Sequence, residues 1–184
     1  DSYGLSITYI KELEDSGRGF ADLTISSWDN MMWTDPRLTW DPEEFGGLTK
    51  ISLPASKIWT PDMYHYWTVG HQQKVDHDVL AVVMNSGTIL LIPPSQRSTR
   101  CRTLQEGKYE CKFSLGSWTH DGYNVDLDFW DDKKQLLLDH FEEDLSAYYI
   151  ESNTAVYERK KYECCPEPYP TITYTVVLCD KKSK

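Results

Sequence analysis

Apolar and polar residues alternate along much of this chain with a period of two. Leu5, Ile7 and Tyr9 alternate with polar neighbours near the start. Ile172, Tyr174, Val176 and Leu178 do so against Thr171, Thr173 and Thr175 near the end. That period belongs to strands with one buried and one wetted face. Val79 to Met84 and Thr88 to Ile92 are apolar runs joined by Asn85-Ser86-Gly87, a hairpin signature. Ala21 to Trp28, Lys50 to Leu53, Lys108 to Leu115 and Tyr148 to Glu158 read as further strands. Only Lys134 to Leu145 carries a helical stripe, with Leu137, Phe141 and Leu145 on one face. Many short strands at regular spacing predict an all-β sandwich.

The 184 residues contain no repeat, low-complexity linker or shift of composition, so a single domain over 1–184 with a substantial core is expected. A formal net charge of −10 argues against a nucleic-acid partner, which requires a basic footprint. It attracts cations only weakly, because salt screens such a field within about 8 Å. No apolar run is long enough to cross a bilayer, and the start lacks a charged-apolar-small leader, so no membrane insertion of this chain is expected.

Five cysteines leave one over. Cys101 and Cys111 enclose the polar segment Arg102 to Glu110, with Gly107 near its middle, and read as a hairpin closed by a bridge. Cys164 and Cys165 are neighbours within Tyr162-Glu-Cys-Cys-Pro-Glu-Pro-Tyr169. A disulfide prefers Cα atoms ~4.4–6.8 Å apart, whereas consecutive residues offer about 3.8 Å. Two readings follow: a strained bridge stiffening a lid edged by two tyrosines, or two free or separately paired thiols in a surface loop. Two bridges would point to an oxidising, extracellular compartment. Cys179, at the end of a strand-like run, reads as a small buried thiol.

Catalysis has the weakest support. His65, His71, His77, His120 and His140 share no metal-ligand spacing, and His71 and His77 fall in a polar stretch from Gly70 to Asp78. His120-Asp121 mimics part of a triad, but no GxSxG elbow accompanies it. Paired acids such as Asp131-Asp132 and Glu142-Glu143 read as a solvated face. No metal or cofactor is expected.

Seven tryptophans and twelve tyrosines are many for such a chain, and several sit near turn signals. Trp59-Thr-Pro-Asp62 precedes Met63-Tyr64-His65-Tyr66-Trp67, and Gly116-Ser-Trp118-Thr-His-Asp-Gly122 sets a tryptophan between glycines. Filling the core is the ordinary role of such rings. The functional alternative is a cage around an organic cation, each ring contributing ~0.5–1 kcal/mol when exposed and ~2 or more when desolvated.

Four motifs occur in order: Trp28-x4-Trp33-x-Asp with Leu38-x-Trp40-Asp-Pro, then Trp59-x-Pro-Asp62, Gly116-Ser-Trp118-Thr, and Tyr162-x-Cys-Cys-Pro-x-x-Tyr169. On these the chain resembles the acetylcholine-binding proteins and the nicotinic receptor extracellular ligand-binding domain, within the pentameric Cys-loop superfamily. The resemblance covers nearly the whole chain. It implies an immunoglobulin-like β-sandwich of about ten strands, secreted or extracellular, in a five-membered ring built by one repeated head-to-tail contact.

The same resemblance implies roles for residues. Tyr66, Trp118, Tyr162 and Tyr169, with a Cys164–Cys165 bridge, would form the principal face of a site for acetylcholine-like or other cationic amines. Trp118 would face the ammonium group and offer its backbone carbonyl. Trp28, Val82, Leu90 and Ile92 of a neighbouring subunit would form the complementary face, and Asp62 would steady the Trp118 loop. Some features depart from the family pattern. The Cys101–Cys111 segment is short and lacks an aromatic-proline apex, as suits a protein with no membrane domain to contact. The sequence begins at what reads as the first strand, and neither the family's N-terminal helix nor a membrane helix after the end is expected. Ser114 stands where relatives keep a lysine, and Trp67 replaces a small polar residue.

Overall fold

The computed structural model describes residues 1–70, the backbone of 73–74, and 78–183. His71 and His77 lie outside the described residues. The strands are β1 (Ser2–Asp15), β2 (Phe20–Thr39), β3 (Lys50–Pro54), β4 (Met63–His65), β5 (Gln73–Lys74), β6 (Leu80–Met84), β7 (Ser86–Leu91), β8 (Pro94–Gln105), β9 (Lys108–Ser117), β10 (Asp128–Phe129), β11 (Tyr148–Tyr162) and β12 (Cys165–Asp180). Between them the described residues form only short 3₁₀ turns and no α-helix.

The long strand β2 organises the sheet by changing partners along its length. Its first half pairs with β8, from Phe20↔Arg102 to Trp28↔Pro94. Its second half pairs with β7 at Met31 to Thr34, and β1 runs antiparallel along its other edge. Hydrogen bonding follows the order β11-β12-β9-β8-β2-β7-β6-β3. This path folds over at the β8–β9 hairpin, where Cys101 and Cys111 are directly paired and bridged. Leu5, Ile7, Leu23 and Ile25 from β1 and β2 thereby enclose one core with Phe113, Leu115, Ile172, Tyr174 and Val176 from β9 and β12. Each such side chain contributes roughly 1.5–3 kcal/mol by leaving water. The all-β sandwich expected from the alternation is the observed fold, with twelve strands among the described residues instead of about ten.

Within that core sits a charged cluster. Arg97, 1% exposed, donates from Nη2 to both Asp29 carboxylate oxygens at 2.8 and 2.7 Å. Its Nε donates to Ser27 at 3.2 Å, and the Tyr3 hydroxyl donates to Asp29. Buried charges are tolerated when paired and hydrogen-bonded in this manner. His65 on β4 is also buried and packs on Phe113, ring centroids 5.6 Å apart. Burial, followed by the nearby Arg97 charge, lowers its pKa to about 4, so His65 is neutral in the fold.

Two local expectations fail and one strand carries no alternation signal, each for a tertiary reason. The helix over Lys134 to Leu145 does not form. Leu136 and Leu137 are both buried and Leu145 is exposed; Leu137 bridges Ser6 of β1, and a turn at 139–140 and a 3₁₀ turn at Glu143–Leu145 follow. The amides of Ile7 and Leu137 donate to Leu137 and Leu5 carbonyls at 3.2 and 2.9 Å, while the Asn153 side chain satisfies both backbone groups of Leu136. Backbone groups already paired with a strand and a carboxamide cannot also close helical turns. Tyr9 leaves the buried face of β1, because the register with β2 shifts between Ile7 and Tyr9 and Ile10 packs on the core instead. The alternation pattern does not mark β8, because Ser95 to Arg100 is polar and the inward positions of that run are Arg97 and Thr99.

Candidate functional site

One edge of the sandwich gathers aromatic rings through the pairing of β4 with β9. Tyr64 lies opposite Gly116 and His65 opposite Leu115. Alternation along β4 sends His65 into the core and leaves Tyr64 outside. Tyr66 follows, its amide held by the Ser114 carbonyl at 3.0 Å and its hydroxyl donating to the Ser117 carbonyl at 2.9 Å. A Cβ on Gly116 would sit 2.8 Å from that hydroxyl oxygen and 2.7 Å from the Pro170 carbonyl oxygen. The glycine is therefore what lets the Tyr66 ring cross β9.

Trp118 stands at the end of β9, 64% exposed. Its ring centroid is 6.2 Å from that of Tyr66 and 4.9 Å from that of Tyr64. Asp62 holds the loop that carries it. Its carboxylate accepts from the Ser117 hydroxyl, from the Thr119 amide at 2.9 Å and from the Thr119 hydroxyl at 2.6 Å. Burial pushes the Asp62 pKa upward, but these bonds outweigh it and hold the group below its ordinary value. Asp62 is thus a carboxylate directly behind the Trp118 loop.

The hairpin of β11 and β12 reaches over this cluster. Tyr162 pairs with Cys165 at its tip, and Cys164 and Cys165 are bridged to each other. Tyr162 and Tyr169 meet edge to face with centroids 5.5 Å apart. Lower down, the Gly122 amide donates to the Pro168 carbonyl at 2.7 Å, tying the Trp118 loop to the hairpin. Tyr66 is raised to about 12 by burial and by the neighbouring Tyr162, Asp62 and Tyr169. Its phenol stays protonated and donating across the physiological range, so the rings offer neutral π faces backed by one carboxylate.

Tyr66, Trp118, Tyr162, Tyr169 and the bridged cysteines therefore meet in one place. Trp28, Val82, Leu90 and Ile92 do not join them within the chain. Trp28 is on β2, and Val82 and Leu90 are a cross-strand pair on β6 and β7, at the other end of the sheet order. Leu90 also pairs with Met32, two residues along the same face of β2 from Asn30 and four from Trp28. The ring beside Trp28 is His140, at 5.1 Å. Met32 is not among the sequence candidates, and His140 stands there only as one of five histidines without shared metal spacing. The period of two starting at Trp28 carried the signal for Met32, whereas nothing local marked His140.

Of the remaining candidates, Asp121 accepts from the Tyr123 and Asn124 amides and so builds a turn, while His120 faces Trp59 at 5.9 Å. Ser114 is buried and shares a 2.9 Å hydrogen bond with Thr173. Cys179 is a buried thiol bonded to no other cysteine, and it hydrogen-bonds Tyr149.

This β-sandwich carries a disulfide-tipped hairpin beside a partly exposed aromatic cluster. The chain belongs to the family described as the neurotransmitter-gated ion-channel ligand binding domain, whose model matches residues 4–180. It is 30% identical over 180 residues to the neuronal acetylcholine receptor subunit alpha-2 of Homo sapiens, covering 96% of this chain and 33% of that protein. It is 31% identical over 160 residues to the acetylcholine receptor subunit alpha-type acr-16 of Caenorhabditis briggsae, covering 82% and 30%. The chain thus spans about a third of the length of these curated relatives. A solved structure of Capitella teleta AChBP in complex with lobeline superposes with a TM-score of 0.89 at 31% identity, covering 98% of this chain and 83% of that one.

Proposed function

We propose that this chain binds acetylcholine-like or other cationic amines between adjoining copies of itself in a five-membered ring. Tyr66, Trp118, Tyr162, Tyr169 and the Cys164–Cys165 tip contribute one half of each site, and Trp28, Val82, Leu90 and Ile92 of the neighbouring copy contribute the other. The observation that carries this reading is the convergence of Tyr66 and Trp118 under the Tyr162–Tyr169 pair, with the Asp62 carboxylate behind them. A desolvated cation gains ~2 kcal/mol or more from one ring face, so a few faces supply much of the roughly 8 kcal/mol of micromolar binding. The family is one of ligand binding, which favours this reading over catalysis.

We propose further that the protein is soluble and secreted. The polar Arg102–Glu110 turn and the AChBP neighbour support this. A receptor ectodomain is the second reading, favoured by receptor relatives three times as long as the matched region. A transcript encoding four apolar spans after Lys184 decides for the ectodomain.

Titration with a panel of cholinergic and aminergic ligands should quench intrinsic fluorescence saturably, and Trp118→Ala should abolish the response. Native mass should count five subunits. A monomer, or no saturable response from any amine, sinks the proposal.

A further inference from the structure

We infer that Tyr64 is a size-selecting wall of the cation site, an inference that rests on the reading just given. Three rings converge at this edge: Tyr64 to Trp118 at 4.9 Å, Tyr64 to Tyr66 at 6.0 Å and Tyr66 to Trp118 at 6.2 Å. Rings that close to one another leave no gap for a guest between them. A guest is therefore confined to their shared outer surface, below the Tyr162–Tyr169 pair, and Tyr64 occupies part of the space beside Trp118 on that surface.

The position of Tyr64 on β4 explains why its ring goes there. Its cross-strand partner is Gly116, which has no side chain to fill the face of the pair. The ring leans along β9 to the diagonal neighbour Trp118, within reach of an aromatic side chain. Core packing does not account for Tyr64, which is 42% exposed while its chain neighbour His65 is buried. Nor is it held by its phenol, which makes no hydrogen bond to the described residues. A large ring, tilted at 48° against the tryptophan and edge-on to Tyr66, sets both the π surface and the width available at the site.

Removing that ring should have opposite consequences for small and large cations. A compact tetramethylammonium ion loses a ring face, and a bulkier tetraethylammonium ion gains room. The experiment titrates both ions into the assembled protein, the Tyr64→Val variant, which keeps a strand-favouring residue, and Tyr64→Phe. Tyr64→Val should weaken tetramethylammonium binding about two- to fivefold. The ratio of the tetraethylammonium Kd to the tetramethylammonium Kd should fall at least about fivefold. Tyr64→Phe, which keeps the ring, should leave the ratio within about twofold. Should the valine variant assemble poorly, Tyr64→Ala serves with the same expected fall. An unchanged ratio in the valine or alanine variant overturns the inference, as does an equal fall in Tyr64→Phe. If the unaltered protein binds neither ion saturably, the cation reading itself fails and this inference with it. If both ions bind and Trp118→Ala abolishes them, an unmoved ratio condemns Tyr64 alone.

Discussion

Two faces of one short strand separate the forces that build this molecule from those that equip it. On the inner face of β4, His65 packs beside the Arg97–Asp29–Tyr3 cluster, where every charge is buried and paired. On the outer side, Tyr64 and the following Tyr66 meet Trp118, whose ring is mostly exposed and held in place by hydrogen bonds to its backbone neighbours. The inner cluster resists disruption, because removing one partner strands a charge without water. The outer cluster costs the fold little to change, since its rings already touch solvent. Mutations on the two sides should therefore separate stability from binding.

The largest effect is expected from Arg97→Ala, which leaves the Asp29 carboxylate buried and unpaired. Urea unfolding should show a loss of about 3–5 kcal/mol. Pairing Asp29→Leu with Arg97→Met should restore more than half of it. Equal losses in the single and double variants would show that shape, and not charge, governs this part of the core.

A somewhat smaller effect concerns acid. His65 is lowered from 6.5 to about 4 in the folded state, so the unfolded chain takes up the proton first as pH falls. The stability linked to neutral His65 is fully present above about pH 6.5 and is lost progressively toward pH 4. It amounts to about 3 kcal/mol across that window. His65→Leu should flatten the dependence of the urea midpoint on pH between those values. An unchanged slope would remove His65 from the account.

The smallest effect on stability, with the clearest effect on binding, is expected at Asp62. Asp62→Ala removes three hydrogen bonds at the loop and should cost about 1–3 kcal/mol in unfolding. The amine Kd should rise about tenfold, as the Trp118 ring loses its fixed position. If binding were untouched, the contrast between the two sides of β4 would collapse, because Asp62 would then serve the fold alone.

Some of this was legible in the residues. The alternation at Ile172 to Leu178 places four side chains in the core as read, and the Asn85-Ser86-Gly87 hairpin pairs Val82 with Leu90. The aromatic motifs carry their own turns and glycines, and Gly116 beside Trp118 makes room for the Tyr66 ring. The failures share one cause. Lys134 to Leu145 has a helical stripe, yet its backbone is taken by β1 and Asn153. The polar run in β8 hides a strand because its inward arginine finds its partner on β2, 68 positions away in sequence.

Local chemistry thus determined what recurs within a few residues: the period of the strands, the tight turns, and the neighbouring cysteines that stiffen the hairpin tip. Only tertiary structure decided which strand would accept a buried charge, how Asp62 would reach the Trp118 loop, and that Tyr64 would lie against that ring. The reason is physical. Strand period and turn geometry are set by neighbours along the chain, whereas pairing a charge or stacking a ring depends on groups that meet only once the sheet has folded over.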